Sequence, residues 1–160
     1  MTSIIPVVND ECMTNVLVKN RKASFEYELL DKYEGGMMLL GHEVKSLRAG
    51  GGNLTGSFIS FRGEELWVEK MHIAQYEKAT LLSYEPERPR KLLLRKAEML
   101  KIAGGLKASG VTLIPLSCVL KNNKIKLEFA LARGKKKYDK RESIKRRDMD
   151  RQTRRMVNHR

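Results

Sequence analysis

The carboxylates and histidines are the first side chains to consider as catalytic groups. Glu34 and Glu43 could in principle form an acid and base pair, but glutamates near basic residues usually pair with those residues. The three histidines are scattered and lack the spacing of metal ligands. The glycine-rich residues 50–57 lack the lysine of a phosphate-binding loop. We therefore expect a protein that is not an enzyme and that uses no metal or cofactor.

The basic residues point to binding rather than catalysis. The 160-residue chain has a net charge of +13, and residues 133–160 hold thirteen basic residues against four acidic ones. Like charges at this density repel one another in free solution. Against a polyanion they become favourable, because each neutralised phosphate releases condensed counterions. The pattern predicts a nucleic-acid partner, with a solvated tail as the alternative interpretation.

Further basic residues occur in clusters before this tail. Lys45 and Arg48 lie three residues apart on a predicted short helix and so share a face. Two more clusters surround a predicted loop and a predicted turn: Arg88, Arg90, Lys91, Arg95 and Lys96, and then Lys121, Lys124 and Lys126. Together, on one small domain, these clusters could line a single RNA-facing surface.

Composition sets the domain organisation. We expect residues 1–19 to be a poorly ordered extension, residues 20–132 to fold, and residues 133–160 to form a basic tail with too few apolar groups to fold alone. The two cysteines, Cys12 and Cys118, lack the spacing of a zinc site, which favours a reducing cytosol and a core role for Cys118. No apolar run approaches the roughly 20 residues of a membrane span.

Hydrophobic periodicity predicts mostly short strands, about six, with two helices. We expect strands at residues 25–29, 37–40, 57–61, 66–72, 111–120 and 124–131, helices at 43–49 and 96–107, and a loop at 75–89. Gly35 and Gly36 are interpreted as a break between the first two strands. Asn122 and Asn123, which tolerate positive φ, join the last two in a hairpin. Without a βαβ rhythm, the natural architecture is mainly β: a small antiparallel barrel with short flanking helices.

Several strings resemble the SsrA-binding protein family, also called small protein B. They are EVKSLR at residues 43–48 with Gly50 and Asn53-Leu54 after it, RKLLL at 90–94, LARGKK at 131–136, and YDKR at 138–141 with Ile144-Lys145 after it. They occur in the family's order and spacing, and the similarity covers about residues 20–160. Phe25 and Tyr138 depart from the pattern, because many relatives carry histidine at the first of these positions and some carry it at the second.

The resemblance implies an oligonucleotide-binding-like antiparallel barrel and a protein that is not an enzyme. Family members bind the tRNA-like domain of transfer-messenger RNA and accompany it, with elongation factor Tu on the RNA, to stalled ribosomes. The tail then enters the empty message channel near the decoding centre. No membrane or DNA partner is expected, and the cytoplasm is the expected location. A general RNA chaperone, a small ribosomal protein and a nuclease are the alternatives.

The resemblance also assigns site residues. On the barrel, the expected RNA contacts are Asn20, Glu34, Lys45, Ser46, Arg48, Asn53, Arg90, Lys91, Leu92, Leu93, Leu94, Lys126, Arg133, Gly134, Lys135 and Lys136. In the tail, the decoding and channel segment comprises Lys137, Tyr138, Asp139, Lys140, Arg141, Ile144, Lys145, Arg147 and Arg151. Because Arg147 and Arg151 are like charges at i,i+4, we expect the free tail to be disordered and to become helical only when bound.

Overall fold

The computed structural model describes residues 15–79, 83–136 and 148–149. The strands in chain order are β1 (Asn15–Lys19), β2 (Tyr27–Met37), β3 (Gly52–Asn53), β4 (Phe58–Arg62), β5 (Glu65–Glu69), β6 (His72–Ile73), β7 (Arg90–Leu93), β8 (Val111–Lys121) and β9 (Lys124–Gly134). The helices are α1 (Ala23–Glu26), α2 (Gly41–Arg48) and α3 (Lys96–Leu106).

Six of the strands close into an antiparallel barrel. Their order around the barrel is β8-β4-β5-β7-β2-β9, and β9 pairs back onto β8. β1 adds to the outer edge of β8, while β3 and β6 form a separate two-stranded pair. Closure removes the exposed strand edges that an open sheet would present. The prediction of a mainly β, small antiparallel barrel with short helices is confirmed.

The core lies inside the barrel and under two of the helices. In β5 the alternation places Leu66 and Val68 inward, each fully buried, while Trp67 faces outward. Ile102 of α3 and Leu47 of α2 are also fully buried. α3 can approach β9 closely because Gly105 has no side chain: a Cβ at this position would lie 2.4 Å from a methyl group of Leu131.

The β8–β9 hairpin forms as predicted. Asn122 and Asn123 join the strands with φ values of +48° and +62°, the conformation that favours asparagine over branched residues. Cys118 of β8 is fully buried, and burial raises the pKa of its thiol to about 12. Its predicted role as an ordinary core residue is confirmed.

The predicted break at Gly35 and Gly36 is wrong. Residues 27–37 form the single strand β2, and α1 occupies part of the region predicted as the first strand. The two glycines lie within β2, where a Cβ on Gly35 would be 3.1 Å from Leu94 Cγ and one on Gly36 would be 3.4 Å from Leu93 Cβ. They allow the leucines of the neighbouring strand to lie against the sheet, a long-range contact that is invisible in the local sequence.

Two predicted boundaries also change. Residues 15–19, predicted as part of a poorly ordered extension, form β1, whose Val18 is buried and pairs with Cys118 of β8. At the other end, β9 continues to Gly134, which pairs with Tyr27, so the barrel extends past residue 132. In each case the pairing partner is distant in sequence. Residues 90–93, which had no strand assignment, form β7.

Candidate RNA interface

A groove of about 960 Å³ runs along the outside of the barrel beside β2, β7 and the start of α3. We call it the β2–β7 groove, and its lining includes Tyr33, Glu34, Lys91, Leu93, Leu94 and Lys126. Five of these six were expected from the resemblance to contact RNA. The fold brings them together from three separate strands and the residue that follows β7.

Glu34 is bound by two lysines at one end of the groove. Lys126 Nζ donates to Glu34 Oε1 at 2.8 Å, and Lys121 Nζ donates to Glu34 Oε2. These hydrogen bonds hold the pKa of the Glu34 carboxyl below its usual value, against a smaller opposing effect of burial. The side chains remain 28–38% exposed. The cluster is therefore fixed in position but open to a ligand, with one positive charge in excess.

The leucines of the RKLLL string divide between the core and the groove. Leu92 is 3% exposed and packs in the core, whereas Leu93 is 51% exposed. This follows from the alternation of β7, which turns Lys91 and Leu93 outward and Leu92 inward. An exposed leucine among charged side chains offers an apolar surface to a sugar or base. Leu92 contributes by supporting the strand.

Arg90 does not lie at the surface, so its prediction as an RNA contact is wrong. Its side chain is fully buried and makes four hydrogen bonds. Nε and Nη2 donate to Glu43 Oε1 at 2.9 and 2.8 Å, Nη1 donates to Met71 O at 2.6 Å, and Nη2 also donates to Pro86 O at 2.9 Å. Arg90 lies on the inward-facing side of β7, so its side chain is buried. Its charge is paired with that of Glu43 within the fold.

Glu43 links this buried cluster to α2. It accepts two bonds from Arg88, at 2.9 and 2.5 Å, and one from the Leu40 N–H at 2.8 Å. Burial raises the pKa of the Glu43 carboxyl, but the bonds from Arg88, Leu40 and Arg90 outweigh it and leave that pKa below its ordinary value. Glu43 and Glu34 thus each pair with basic residues, as their surroundings in the sequence suggested, and do not face each other as an acid and base.

Asn20 and Ser46 are two more predicted contacts that are buried, at 9% and 3% exposure. Asn20 Nδ2 donates to Pro115 O at 3.0 Å and to Leu54 O at 3.4 Å, joining the chain before α1 to two distant segments. The Ser46 hydroxyl donates to Ala74 O at 2.6 Å and fixes α2 to the loop that follows β6. In this fold both residues support the backbone beneath the surface.

The remaining motif residues around α2 are exposed but lie outside the β2–β7 groove. Lys45 Nζ lies 5.8 Å from the centre of the Tyr76 ring. Arg48 Nη2 donates to Asn123 Oδ1 at 2.8 Å. The side chain of Asn53 accepts from the Thr55 N–H at 2.8 Å. α2 therefore presents a separate polar surface.

The start of the predicted tail is attached to the barrel. Arg133 and Gly134 end β9, the Lys135 N–H donates to Glu26 O at 3.0 Å, and Lys135 Nζ donates to Ser24 O at 2.9 Å. Lys136 is exposed. The predicted channel residues lie outside the described residues, namely Lys137, Tyr138, Asp139, Lys140, Arg141, Ile144, Lys145, Arg147 and Arg151.

Sequence reasoning left Lys121 and Tyr33 out of the predicted site. Lys121 was recognised only as part of a basic cluster, yet it binds Glu34 as directly as Lys126 does. The signal in the sequence was the group of lysines around the hairpin turn. This turn brings Lys121 and Lys126 to one end of the barrel. Tyr33 lies one residue before Glu34 and stacks on the buried Phe129, with ring centres 5.8 Å apart.

Metal sites and membrane-spanning helices are two other classes of feature to consider in the described residues. Among residues 15–79, 83–136 and 148–149, no group of three or more His, Cys, Asp or Glu side chains could hold a metal ion. Within the same ranges, no helix has the length and hydropathy needed to cross a membrane.

Comparison with known proteins gives one consistent family. A family model described as SmpB protein matches residues 17–159. The SsrA-binding protein of Desulforudis audaxviator is 48% identical over 134 residues, which cover 84% of this chain and 88% of that protein. The SsrA-binding protein of Agrobacterium fabrum is 42% identical over 153 residues, which cover 95% of this chain and 96% of that protein.

A solved structure agrees with this result. One chain, from the work described as "tmRNA-SmpB: a journey to the center of the bacterial ribosome", matches with a TM-score of 0.64 and 42% identity, covering 79% of this chain and 92% of that chain. The predicted family resemblance is confirmed, and the chain belongs to the SmpB family of SsrA-binding proteins.

Proposed function

We propose that this protein binds the tRNA-like domain of transfer-messenger RNA and accompanies it to stalled ribosomes in the cytoplasm, without catalysing a reaction itself. One observation carries the proposal: residues expected to hold the RNA, from separate strands, line one continuous groove on the folded barrel. Membership of the SmpB family supports the same role, as does the likeness to a chain solved in work on tmRNA-SmpB and the bacterial ribosome. Elongation factor Tu would be an indirect partner, through the RNA.

The chemistry of the groove suits a folded RNA. Lys121 and Lys126 are partly exposed, and partly exposed ion pairs contribute only about 0–1 kcal/mol, so either lysine can turn to a phosphate at small cost. Glu34 would then accept hydrogen bonds from the amino group of a base or from a ribose hydroxyl. Leu93 offers an apolar contact between these polar groups. Because the barrel and the groove are preformed, this binding needs no folding step.

The tail would have a different task. Residues 137–160 hold ten basic residues against four acidic ones and few apolar side chains, which suits a channel walled by ribosomal RNA phosphate. We infer that the tail occupies the empty message channel and becomes helical there, with phosphate contacts offsetting the loss of conformational entropy. Arg133, Lys135 and Lys136, at the base of the tail, would contact RNA where barrel and channel meet.

A truncation tests this division of labour. A chain ending before Tyr138 should bind the isolated tRNA-like domain as tightly as the full chain, yet fail to support tagging of nascent peptides on stalled ribosomes. The matched variant is the full chain with Lys121→Ala and Lys126→Ala, which should lose affinity for the RNA first and tagging as a consequence. Filter binding measures the first property and peptide tagging in a reconstituted translation system measures the second. Tagging by the truncated chain would contradict the proposal.

Purification of the protein from its own cells, followed by sequencing of the bound RNA, separates this proposal from a general RNA chaperone. We expect a single dominant transfer-messenger RNA. A broad mixture of structured RNAs would instead favour the chaperone.

A further inference from the structure

The chain's single tryptophan, Trp67, lies on the outside of the barrel. Its neighbours Leu66 and Val68 are fully buried in the core, so the alternation of β5 turns Trp67 to the outer face, where it is half-buried. Tryptophan is the largest apolar side chain and usually contributes to a core or an interface. Its place in the middle of an outer strand face requires a reason of its own.

A second aromatic side chain lies beside it. Phe58 of β4 is 38% exposed, and it shares the outer face because its neighbour Ile59 is buried. Phe58 pairs with Glu69, which places it diagonally across from Trp67, at a typical separation of about 7–8 Å. Both aromatic side chains therefore lie on the outer face of β4 and β5, and we call them the aromatic strip.

One cation lies over the Trp67 ring and another lies beside it. The guanidinium carbon of Arg62 lies 5.5 Å from the centre of the Trp67 ring, and Lys91 of β7 pairs directly opposite Trp67. Arg62 Nη2 pairs with Glu69 at 3.1 Å, and Lys91 Nζ pairs with Glu65. The side chains of these cations are 48% and 32% exposed. Since exposed pairs contribute about 0–1 kcal/mol, each cation can exchange its carboxylate for a phosphate at small cost.

The strip is continuous with the β2–β7 groove. Lys91 and Glu65 line the groove and also adjoin Trp67, across the strand pair and along β5 respectively. Leu93, two residues beyond Lys91 on the same face, continues the exposed apolar surface into the groove. A ligand lying in the groove could therefore extend over Trp67 without crossing a ridge of the fold.

We propose that the outer face of β4, β5 and β7 is a stacking platform for unpaired bases of an RNA strand, with Trp67 at its centre and Phe58 next to it. This inference rests on the proposed function, because it extends the same RNA across the barrel. Proteins that bind single-stranded nucleic acid combine aromatic side chains, on which bases stack, with adjacent cations that follow the phosphates. The aromatic strip, the two exchangeable cations and the continuity with the groove favour an RNA strand over a protein segment as the occupant.

The single tryptophan allows a direct test with the full-length protein. Its emission should be quenched when an unstructured oligoadenylate of about ten nucleotides is added, because a stacked base contacts the ring. The isolated tRNA-like domain should quench the emission as well. Binding of both RNAs is measured in parallel by a method that does not use tryptophan emission, such as fluorescence anisotropy of labelled RNA.

Substitutions of Trp67 then distinguish base stacking from a contact that depends only on the size of the side chain. Trp67→Leu should weaken oligoadenylate binding roughly tenfold, because it removes the aromatic surface, whereas Trp67→Phe should retain most of the affinity. Tyr76→Leu is the matched control, since Tyr76 also lies beneath a cation but away from this face. The Tyr76→Leu variant should bind the oligoadenylate with the affinity of the wild type. Circular dichroism checks that each variant is folded, and emission of the unmodified protein decides the question if Trp67→Leu does not fold.

The outcomes distinguish this inference from the proposed function. Unchanged Trp67 emission at saturating RNA, while the tRNA-like domain still binds, would overturn the platform and leave the proposed function intact. Quenching by the oligoadenylate without any binding of the tRNA-like domain would support the platform and overturn the proposed function. Equal affinity of Trp67→Leu and the wild type for the oligoadenylate would overturn the platform as well.

Discussion

Two glutamates of this protein, Glu43 and Glu34, each bind two cations, yet they lie in opposite environments. Glu43 is fully buried with Arg90, and Arg88 closes the cluster at its edge. Glu34 lies on the surface between Lys121 and Lys126, with its side chain 28% exposed. The first cluster joins α2, β7 and the preceding loop. The second forms one end of the β2–β7 groove.

The difference shows that burial decides the task of a charged cluster. Removing charges from water is costly, so a buried cluster must satisfy all its hydrogen bonds internally and leaves none for a ligand. Arg90 does this with Glu43 and two backbone carbonyls. In the exposed cluster water screens the charges, and the lysines can exchange partners. Arginine with its fixed fork suits the first task and mobile lysine suits the second.

Substitution of the two glutamates should give the largest difference between the clusters, measured as the free energy of unfolding. Glu43→Gln leaves Arg90 buried without its counter-charge and should lower the free energy of unfolding by about 3–5 kcal/mol. Glu34→Gln should lower it by less than about 1 kcal/mol, because its partners are solvated. Urea unfolding at neutral pH measures both. Similar losses for the two variants would show that the clusters do not differ as described.

RNA affinity should depend more on the exposed cluster than on the buried cluster, which is the reverse of the order expected for stability. Lys126→Ala should weaken binding of the tRNA-like domain by about tenfold, the value of one charge-assisted hydrogen bond. It should also reduce the slope of log affinity against log salt by about 0.7–0.9, as expected for one lost phosphate contact. Lys107→Ala, an exposed lysine just after α3 that does not line the groove, is the control and should bind as the wild type does. An unchanged salt slope for Lys126→Ala would remove Lys126 from the phosphate contacts.

The dependence of stability on acid pH should give the smallest and most selective difference between the two clusters. The pKa of Glu43 is lowered in the folded state, so its contribution is fully present above the ordinary value of 4.5 and is lost as the pH falls through the lower folded pKa. Glu43→Gln should therefore flatten the decline of stability as the pH falls below about 5. Glu34→Gln should flatten it less, because the Glu34 cluster is more exposed. Urea midpoints across this range measure both effects. If the stabilities of the wild type and of Glu43→Gln declined in parallel at acid pH, the assignment would be contradicted.

Elements that depend on neighbouring residues were predictable from the sequence. The β8–β9 hairpin was identified from its alternation and from Asn122-Asn123, and the β4–β5 hairpin from its flanking apolar strands. Both α2 and α3 lie where helix formers cluster. In each of these elements, local propensity and the tertiary fold favour the same conformation.

Elements that depend on distant partners were not predictable. β1 becomes a strand through its pairing with β8, about a hundred residues later, and Gly35-Gly36 is understood only once Leu93 and Leu94 lie against it. The site shows the same division. The family resemblance located the groove residues Glu34, Leu93 and Lys126, but it also assigned RNA contacts to Arg90, Ser46 and Asn20, which the fold buries.

The sequence by itself therefore determined the class of the protein: a small β domain, a strongly basic tail and the family of RNA-binding proteins to which it belongs. The tertiary structure decided which members of each motif meet the solvent. The reason is that charge and periodicity are local properties of the chain, whereas exposure depends on strands that pair across long sequence separations. Closing the barrel turned Arg90 inward and left Lys126, Leu93 and Trp67 on its outer surface.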